Sequence, residues 1–272
     1  MELEQVHTCP LCGRQGFRRY RRIDEWQIVQ CSHCQLAFLD PRPTATEVEK
    51  VLEVYYGYPP MPTDPTEKQR LIALEQYRLT PLLQFRKTGT LLDVGFGSGF
   101  FMALAQGQGW TVMGTEITPR CVKYAHEELG LTVYPGDLSE LNIPHSFDVI
   151  SIHHVLEHVF DPLALVQAAK ALLHKNGLLY ISVPNHQCFD ARTLGLKWEG
   201  WALPWHFYHY TPTTLRRLLE RCGLRILDVD YARSEELNQP WIIRLRRHFP
   251  DKWLRRIFSG TNLMMIASEN RR

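Results

Sequence analysis

Two pairs of cysteines near the start of the chain have the spacing of a metal site. Two residues separate Cys9 from Cys12 and Cys31 from Cys34, and 18 residues lie between the pairs. A two-residue gap lets one tight turn direct two thiolates at one ion, and Gly13 supplies a permissive backbone after the first pair. Two such turns complete the four-cysteine tetrahedron of a structural zinc site. The sequence therefore predicts a zinc ion on these cysteines.

Histidines are dense in a second segment, from residue 151 to residue 159. His154, Glu157 and His158 stand at positions i, i+3 and i+4, so a helical turn would place them on one face. Such a face could hold a divalent cation. Either histidine could instead act as a general base, because its pKa lies near neutral pH. Helix capping and the lining of a pocket are the plainer alternatives.

A third segment, residues 198–211, combines three tryptophans with His206 and His209. This composition is typical of the aromatic wall of a small-molecule site. A packed histidine bonded to the backbone is the alternative for His206.

In a fourth segment an acidic residue leads three alternate glycines, Asp93-Val94-Gly95-Phe96-Gly97-Ser98-Gly99. A dinucleotide-binding turn needs the spacing G-x-G-x-x-G, and here the third position falls on Phe100 or Met102. The segment therefore predicts a glycine turn that serves a different ligand.

The elements that must position these residues begin near residue 88, where short apolar strands alternate with helices. This alternation predicts an α/β fold with a parallel sheet and helices on both faces. The glycine turn would then lie at the carboxyl ends of the strands, where such sheets bind ligands. Before this domain, a helix is expected from Glu67 to Phe85 with a break or kink at Pro81.

The chain divides into three predicted parts. Residues 1–43 form a zinc-ribbon module, residues 44–87 a linker with helices that cover the active site, and residues 88–272 the α/β domain. That domain carries a basic insert at 234–260, in which residues 241–256 hold six Lys and Arg against one Asp. The insert could contact a membrane surface or an RNA backbone, and a packed surface helix is the plainer interpretation.

Composition excludes several classes of protein. The chain has 272 residues, 44% of them hydrophobic, and a formal net charge of +2. It can bury a sizeable core, and it is too balanced in charge for global capture of nucleic acid. No apolar run reaches the roughly 18 residues of a transmembrane helix. Because the first residues are acidic rather than apolar, we expect a cytoplasmic protein.

The glycine turn resembles the first motif of class I S-adenosylmethionine-dependent methyltransferases. Three further motifs follow in that family's order: Glu116 resembles the ribose-binding acid, Asp137 the acid that meets the adenine, and residues 147–150 the fourth strand. The resemblance covers about residues 88–232. It implies a Rossmann-like, doubly wound, seven-stranded sheet and S-adenosylmethionine as cofactor. The cofactor-binding residues that it implies are Asp93, Gly95, Gly97, Gly99, Glu116, Asp137 and His153.

Phe96 departs from the family's pattern, in which a small residue or cysteine is commoner at this position. We expect it to narrow the methionine end of the pocket.

The histidine segments carry narrower resemblances. Residues 151–159 resemble a stretch of ubiquinone-biosynthesis O-methyltransferases that is associated with a divalent ion, which implies a cation at His154, Glu157 and His158. Residues 198–211 resemble bacterial small-molecule and sugar methyltransferases with an N-terminal zinc module. His206 matches the histidine of a catalytic Glu-His pair in the sugar C-methyltransferases, and Trp205 stands where the glutamate would be. O- or N-methylation is therefore favoured over chemistry at carbon, with His206, His154 and His158 as candidate catalytic residues.

The sequence thus predicts a methyltransferase that acts on a small molecule, such as a sugar or a biosynthetic intermediate. An RNA methyltransferase that uses the zinc ribbon to bind its substrate is one alternative, and a non-catalytic cofactor-binding or scaffold protein is another.

Overall fold

The computed structural model describes residues 1–52, 54, 62, 64–233, 249–257 and 259–269. Much of the predicted basic insert, including residues 241–248, lies outside these ranges. None of the described helices is long and apolar enough to cross a membrane.

The chain forms two compact units, each assembled from separate segments. The first unit contains residues 1–45, 154–166 and 181–272, and the second contains residues 46–153 and 167–180.

Short strands make up the N-terminal segment. They are β1 Leu3–Glu4, β2 Phe17–Ile23, β3 Trp26–Cys31, β4 Ala37–Leu39 and β5 Arg42–Pro43. Alternating helices and strands follow. They are α1 Ala45–Glu49, α2 Pro65–Leu83, β6 Thr90–Val94, α3 Phe100–Gly107, β7 Thr111–Glu116, α4 Pro119–Glu127, β8 Thr132–Pro135, β9 Phe147–His153, α5 Pro162–Ala171 and β10 Leu173–Pro184.

The C-terminal segment contains the remaining elements. They are α6 Phe189–Leu194, two 3₁₀ turns at Gly195–Lys197 and Glu199–Trp201, β11 Tyr208–His209, α7 Pro212–Arg221, β12 Leu224–Arg233, α8 Asp251–Ile257 and β13 Ser259–Glu269.

The main sheet has seven strands in the order β12-β13-β10-β9-β6-β7-β8. Strand β6 pairs in parallel with β7 and with β9, whereas β12 and β13 are antiparallel. Leu91 and Leu92 of β6 are fully buried, as a parallel strand covered on both faces requires. The chain winds away from β6 in both directions, so the ligand crevice of such a sheet opens at the carboxyl end of β6. The predicted seven-stranded α/β fold is confirmed.

The cysteine-rich segment builds a second sheet. Its four strands have the order β11-β4-β3-β2, so the N-terminal hairpin is extended by a strand from far along the chain. Strands β1 and β5 pair separately.

Helix α2 begins earlier than its periodicity predicts. The side chain of Asp64 accepts hydrogen bonds from the backbone N–H groups of Thr66 and Glu67, and Pro65 occupies the first helical position. Pro81 lies inside the helix, which ends two residues later at Leu83. The expected break is therefore the last turn of the helix.

Phe96 is buried against a strand that carries no side chain at the point of contact. A Cβ atom added at Gly114 of β7 would lie 2.5 Å from Cδ1 of Phe96 and 2.7 Å from Sδ of Met102. The unusual phenylalanine of the glycine turn is thus accommodated by a glycine on the neighbouring strand.

We expect Gly114→Ala to lower the free energy of unfolding by about 1–3 kcal/mol, because the new methyl group overpacks this contact. The measurement is urea unfolding followed by circular dichroism. Gly107→Ala is the control, since a Cβ there meets nothing within 4 Å. The explanation fails if Gly114→Ala costs as much in a Phe96→Ala background as it does alone.

Candidate functional site

Asp93, near the end of β6, is a buried acid with one strong partner. It is 3% exposed, and the hydroxyl of Ser151 donates a 2.6 Å hydrogen bond to its Oδ1. Burial raises the pKa of Asp93 to about 7, although the bond from Ser151 opposes this shift. A cation bound beside Asp93 would lower this pKa and favour the ionised carboxylate.

The turn after β6 needs glycine for its backbone conformation. Gly95, Gly97 and Gly99 have φ angles of 64°, 58° and 75°, in the left-handed region that side chains disfavour. The N–H of Gly95 donates to the carbonyl of Thr115 at 2.8 Å, which ties the turn to β7. The turn therefore lies against the end of β7, at the head of α3.

Glu116 ends β7 and holds the turn from the other side. Its Oε2 accepts a 2.9 Å hydrogen bond from the N–H of Gly97, and its Oε1 accepts bonds of 2.9 Å from the N–H groups of Ile117 and Thr118. A carboxylate offers about four lone-pair sites. It can therefore keep these bonds and still accept one from a ligand hydroxyl.

The two remaining predicted cofactor residues have different surroundings. Asp137 is half-buried after β8, where its Oδ1 accepts bonds from the N–H and the hydroxyl of Ser139 at 2.7 and 2.5 Å. The ring of His153, at the end of β9, packs edge to face against Phe101 and Tyr180, with ring centroids 5.1 and 4.8 Å away. Asp93, Gly97, Glu116, Asp137 and His153 all belong to the second unit.

Ser151 is a residue of this site that the sequence analysis missed. It lies in β9 directly opposite Asp93 of β6, and it is fully buried. The available signal was one polar residue inside the apolar run of the fourth strand. That signal gains meaning only once the register of the two strands is known.

The four predicted metal cysteines come together in the first unit. Sγ of Cys9 lies 3.4 Å from Sγ of Cys34, Sγ of Cys12 lies 3.6 Å from Sγ of Cys31, and all four sulfurs lie within 4.8 Å of one another. The hydrogen bond with Cys34, together with burial, raises the pKa of the Cys9 thiol. Four thiols so close together need a bound cation to ionise together.

Both cysteine turns are closed in the same way and are held from outside. Gly13 and Gln35, which directly follow the second cysteine of each pair, have left-handed φ angles of 72° and 66°. Arg221 of α7 donates to the carbonyl of Leu11 at 2.6 Å, and Arg217 donates to that of Cys34 at 2.8 Å. Helix α7 therefore anchors both turns.

A second group with ligand-type side chains lies in the first unit. One potential ligand atom from each of Glu157, His158 and His206 lies within 4.8 Å of the other two. Nδ1 of His158 is 2.9 Å from the carbonyl of Trp205, and Nδ1 of His206 is 2.9 Å from that of Gly200. Because a carbonyl only accepts, each Nδ1 carries the hydrogen and the lone pair of each neutral ring lies on Nε2.

The charges of this group favour a cation. Glu157 is fully buried, and its Oε2 makes no hydrogen bond within the described part of the chain. Burial favours its neutral form, but the hydrogen bond from His154 and the nearby histidines outweigh burial and lower the pKa of Glu157 to about 2. Burial also lowers the pKa of His158 to about 4 and that of His206. One carboxylate and two neutral imidazoles therefore lie close enough together to bind one cation.

The geometry differs from the predicted helical turn. His154 has a left-handed φ of 55°, and residues 156–158 form a turn closed by a 2.9 Å bond from the N–H of His158 to the carbonyl of Val155. His154 instead contacts the other oxygen of Glu157, with its Nδ1 3.2 Å from Oε1. The third member of the ligand group is His206, which lies 48 positions after His158 in the sequence.

The chain is similar in sequence and in fold to known methyltransferases. A family model described as a methyltransferase domain matches residues 67–229. The ubiquinone biosynthesis O-methyltransferase of Xanthomonas campestris pv. campestris (strain B100) is 30% identical over 169 residues, which are 57% of this chain and 69% of the relative. The protein of that name from Xylella fastidiosa (strain M23) is 32% identical and covers 57% of this chain and 67% of its own.

Solved structures share the fold. The 1,6-didemethyltoxoflavin-N1-methyltransferase of Burkholderia thailandensis superposes with a TM-score of 0.56 at 16% identity, over 93% of this chain and 100% of its own. A SAM-dependent methyltransferase from Archaeoglobus fulgidus gives a TM-score of 0.55 at 23% identity, over 72% of this chain and 93% of its own.

The burial of Asp93 predicts a pH-dependent effect of Asp93→Asn on stability. Its pKa is higher in the folded chain than in the unfolded one, so its stabilising share is complete below about pH 4 and is lost as the pH rises through about 7. We therefore expect Asp93→Asn to be more stable than the wild type at pH 8, and this advantage to become smaller at pH 5. Urea unfolding at both pH values measures the difference. Asp24→Asn, in an exposed turn, is the control, and its stability relative to the wild type should be the same at both pH values.

Proposed function

This chain belongs to the methyltransferase family, as an S-adenosylmethionine-dependent enzyme, and we propose that it methylates an oxygen of a small molecule. Catalysis at the acceptor is assigned to Glu157, His158 and His206. The observation that supports this assignment is the buried carboxylate that faces two neutral imidazoles.

The residues of the second unit suit the cofactor. S-adenosylmethionine, when bound, supplies a methyl group that is already activated on a sulfonium. The remaining lone pair of Glu116 suits a ribose hydroxyl, and the main chain of the glycine turn admits the methionine portion at close range. Asp93, whose ionisation burial opposes, regains its charge beside a cationic amine. Asp137 is assigned to the adenine, as the family resemblance implies, and His153 to the cofactor site.

Oxygen is the proposed acceptor atom because of the relatives and the histidine group. The two relatives described above, at 30% and 32% identity, are named as ubiquinone biosynthesis O-methyltransferases. Ubiquinone carries methoxy groups on a quinone ring, so phenols are the first acceptors to test. Membership of an enzyme family argues against the scaffold alternative.

We propose that Glu157, His158 and His206 hold a divalent cation. One ligand-type atom of each residue lies within 4.8 Å of the other two, and two imidazole nitrogens with a carboxylate oxygen form a ligand set that suits a divalent cation. In each imidazole the N–H of the other ring nitrogen, Nδ1, donates to a backbone carbonyl, as it does in metal-bound histidines. A cation here would supply Lewis acidity that lowers the pKa of an acceptor hydroxyl. Without a cation, Nε2 of His206 is the general base that removes the hydroxyl proton.

The test is methyl transfer from labelled S-adenosylmethionine to a panel of mono- and diphenols. We expect His206→Asn and Glu157→Gln to lower turnover at least about 100-fold, because the loss of a base or an ion removes the driving force for proton removal. S-adenosylhomocysteine should bind both variants as it binds the wild type. His174→Asn, exposed at the start of β10, is the matched control and should keep full turnover.

A chelator separates the two roles of His206. Activity lost to EDTA while the protein stays folded and keeps one zinc per chain, and regained with one added divalent cation, supports the ion. Activity indifferent to EDTA supports the general base. Wild-type protein that folds but does not bind S-adenosylhomocysteine would overturn the proposed cofactor. Turnover on RNA instead of phenols would overturn the small-molecule assignment.

We also propose that Cys9, Cys12, Cys31 and Cys34 hold a structural zinc ion. The four sulfurs leave no open position for a substrate, and α7 and β11 both contact this module. The ion therefore stabilises the first unit and has no role in the chemistry.

Cys31→Ser is expected to remove the zinc and to lower the free energy of unfolding by several kcal/mol, because ion binding contributes directly to folding. Zinc content by mass spectrometry and thermal melting measure the two effects. Cys222→Ser changes a buried thiol outside the cluster and should retain one zinc per chain. Full zinc content in Cys31→Ser would contradict the proposed ligand set.

A further inference from the structure

Another group of polar and aromatic side chains lies in the first unit, and it shares no residue with either ligand cluster. The guanidinium carbon of Arg21 lies 5.3 Å from the ring centroid of Tyr20 and 5.4 Å from that of Trp201. The ring of His186 lies 5.5 Å from Tyr20 and 5.9 Å from Trp201, and the ring of His209 lies 5.0 Å from Trp201. We call these five residues the Arg21 cluster.

A β-bulge places the two ribbon residues together. The ladder between β2 and β3 pairs Arg19 with Val29 and Arg21 with Ile28, so Tyr20 is an extra residue. In a regular strand, Tyr20 and Arg21 would point to opposite faces. The bulge lets Tyr20 reach the ring of His186 while Arg21 reaches the ring of Trp201. Bulges are frequent where a strand re-aims a side chain near a site.

Three polar atoms of the Arg21 cluster are buried without a hydrogen bond. They are Nε of Arg21, Nε2 of His186 and Nε2 of His209, and the statement holds for the described part of the chain. His186 and His209 are 4% and 3% exposed. Tyr20 Oη lies 3.3 Å from Nδ1 of His186. If the phenol donates there, Nε2 of His186 carries a hydrogen and offers it to a ligand.

The comparison with Arg42 shows what Arg21 lacks. Arg42 also lies over aromatic rings, 4.5 Å from the centroid of Phe160, but its Nε makes a 2.7 Å ion pair with Glu4. Among the described residues, Arg21 has no carboxylate partner. A half-buried cation without a counter-charge costs free energy, and a bound anion removes that cost.

We propose that the Arg21 cluster is a binding site for an oxyanion, a carboxylate or a phosphate, carried by the methyl acceptor. The Nε–H of the guanidinium and the imidazole N–H are donors suited to anionic oxygens. The rings of Tyr20 and Trp201 offer apolar surface to the rest of the ligand. The assignment of the anion to the acceptor rests on the proposed function, whereas binding of the anion does not.

The experiment titrates the full chain with sodium benzoate and, separately, with inorganic phosphate, by calorimetry at low ionic strength. Neutral benzamide is the matched ligand for benzoate. We expect at least one anion to bind, benzamide not to bind, and Arg21→Gln to weaken the binding at least tenfold. Arg19→Gln removes the same charge from an exposed position of the same strand and should bind as the wild type does. Benzoate alone identifies a carboxylate site, phosphate alone a phosphate site, and both together an unselective oxyanion site.

Two results would overturn the site: neither anion binds the wild type, or Arg21→Gln binds as tightly as Arg19→Gln. If Arg21→Gln does not fold, NMR of the wild type replaces it. The Nε–H resonance of Arg21 should then shift with the anion while that of Arg19 does not, and equal shifts would count against the site. The titration contains no methyl donor, so its failure and a failure of methyl transfer are separate observations.

Discussion

The short ladder between β4 and β11 fixes the arrangement of the first unit. Tyr208 pairs with Phe38 and His209 with Ala37, and the N–H of Leu39 donates to the carbonyl of Phe207 at 2.8 Å. On its other side, the same segment donates two backbone N–H groups to the carbonyl of Glu157, at 2.8 and 3.2 Å. Main-chain bonds thus hold β11 between the cysteine ribbon and the turn that carries Glu157. His206 and His209 take their positions from this backbone, so the ribbon sets the surroundings of Glu157, His158 and His206. It also contributes two residues, Tyr20 and Arg21, to the Arg21 cluster.

The second unit uses buried acids in two different ways. Glu116 is satisfied by main-chain donors and organises the glycine turn, whereas Asp93 has one hydroxyl donor and is held where burial opposes its charge. The first arrangement stabilises the fold, and the second lowers its stability in favour of binding a cationic group. Such local conflicts between stability and environment are expected where a ligand completes the structure.

Local motifs were readable from the sequence because their geometry is set by a few neighbouring residues. The glycine turn and the cysteine turns need left-handed backbone at fixed positions, and their spacing records that need. The alternation of strands and helices also predicted the sheet, because each element is recognised from a short stretch of neighbouring residues. The grouping of His158 with His206 depends on tertiary contact across 48 positions, and the left-handed backbone of His154 overrides the helical spacing.

The Arg21 cluster was hidden for a different reason. The other arginines of the same strand, Arg18, Arg19 and Arg22, are exposed. One extra residue in the strand turns the side chain of Arg21 to the opposite face of the sheet. The distribution of charges along the sequence does not reveal such a bulge. The requirement for glycine at position 114 was also hidden in the sequence, because it arises from contact with the ring of Phe96 in a different part of the chain.

The discontinuous first unit has a consequence for synthesis on the ribosome. Strand β4 emerges early, but its partner β11 lies about 170 positions later, since Phe38 pairs with Tyr208. At about 5–20 residues per second, the edge of β4 stays unpaired for roughly 10–35 seconds while the whole second unit is made. An open strand edge during that interval invites pairing with other nascent chains. Early capture of zinc by the cysteines would leave the ribbon hairpin formed but still open at this edge, so the yield of native protein depends on the rate of elongation through the second unit.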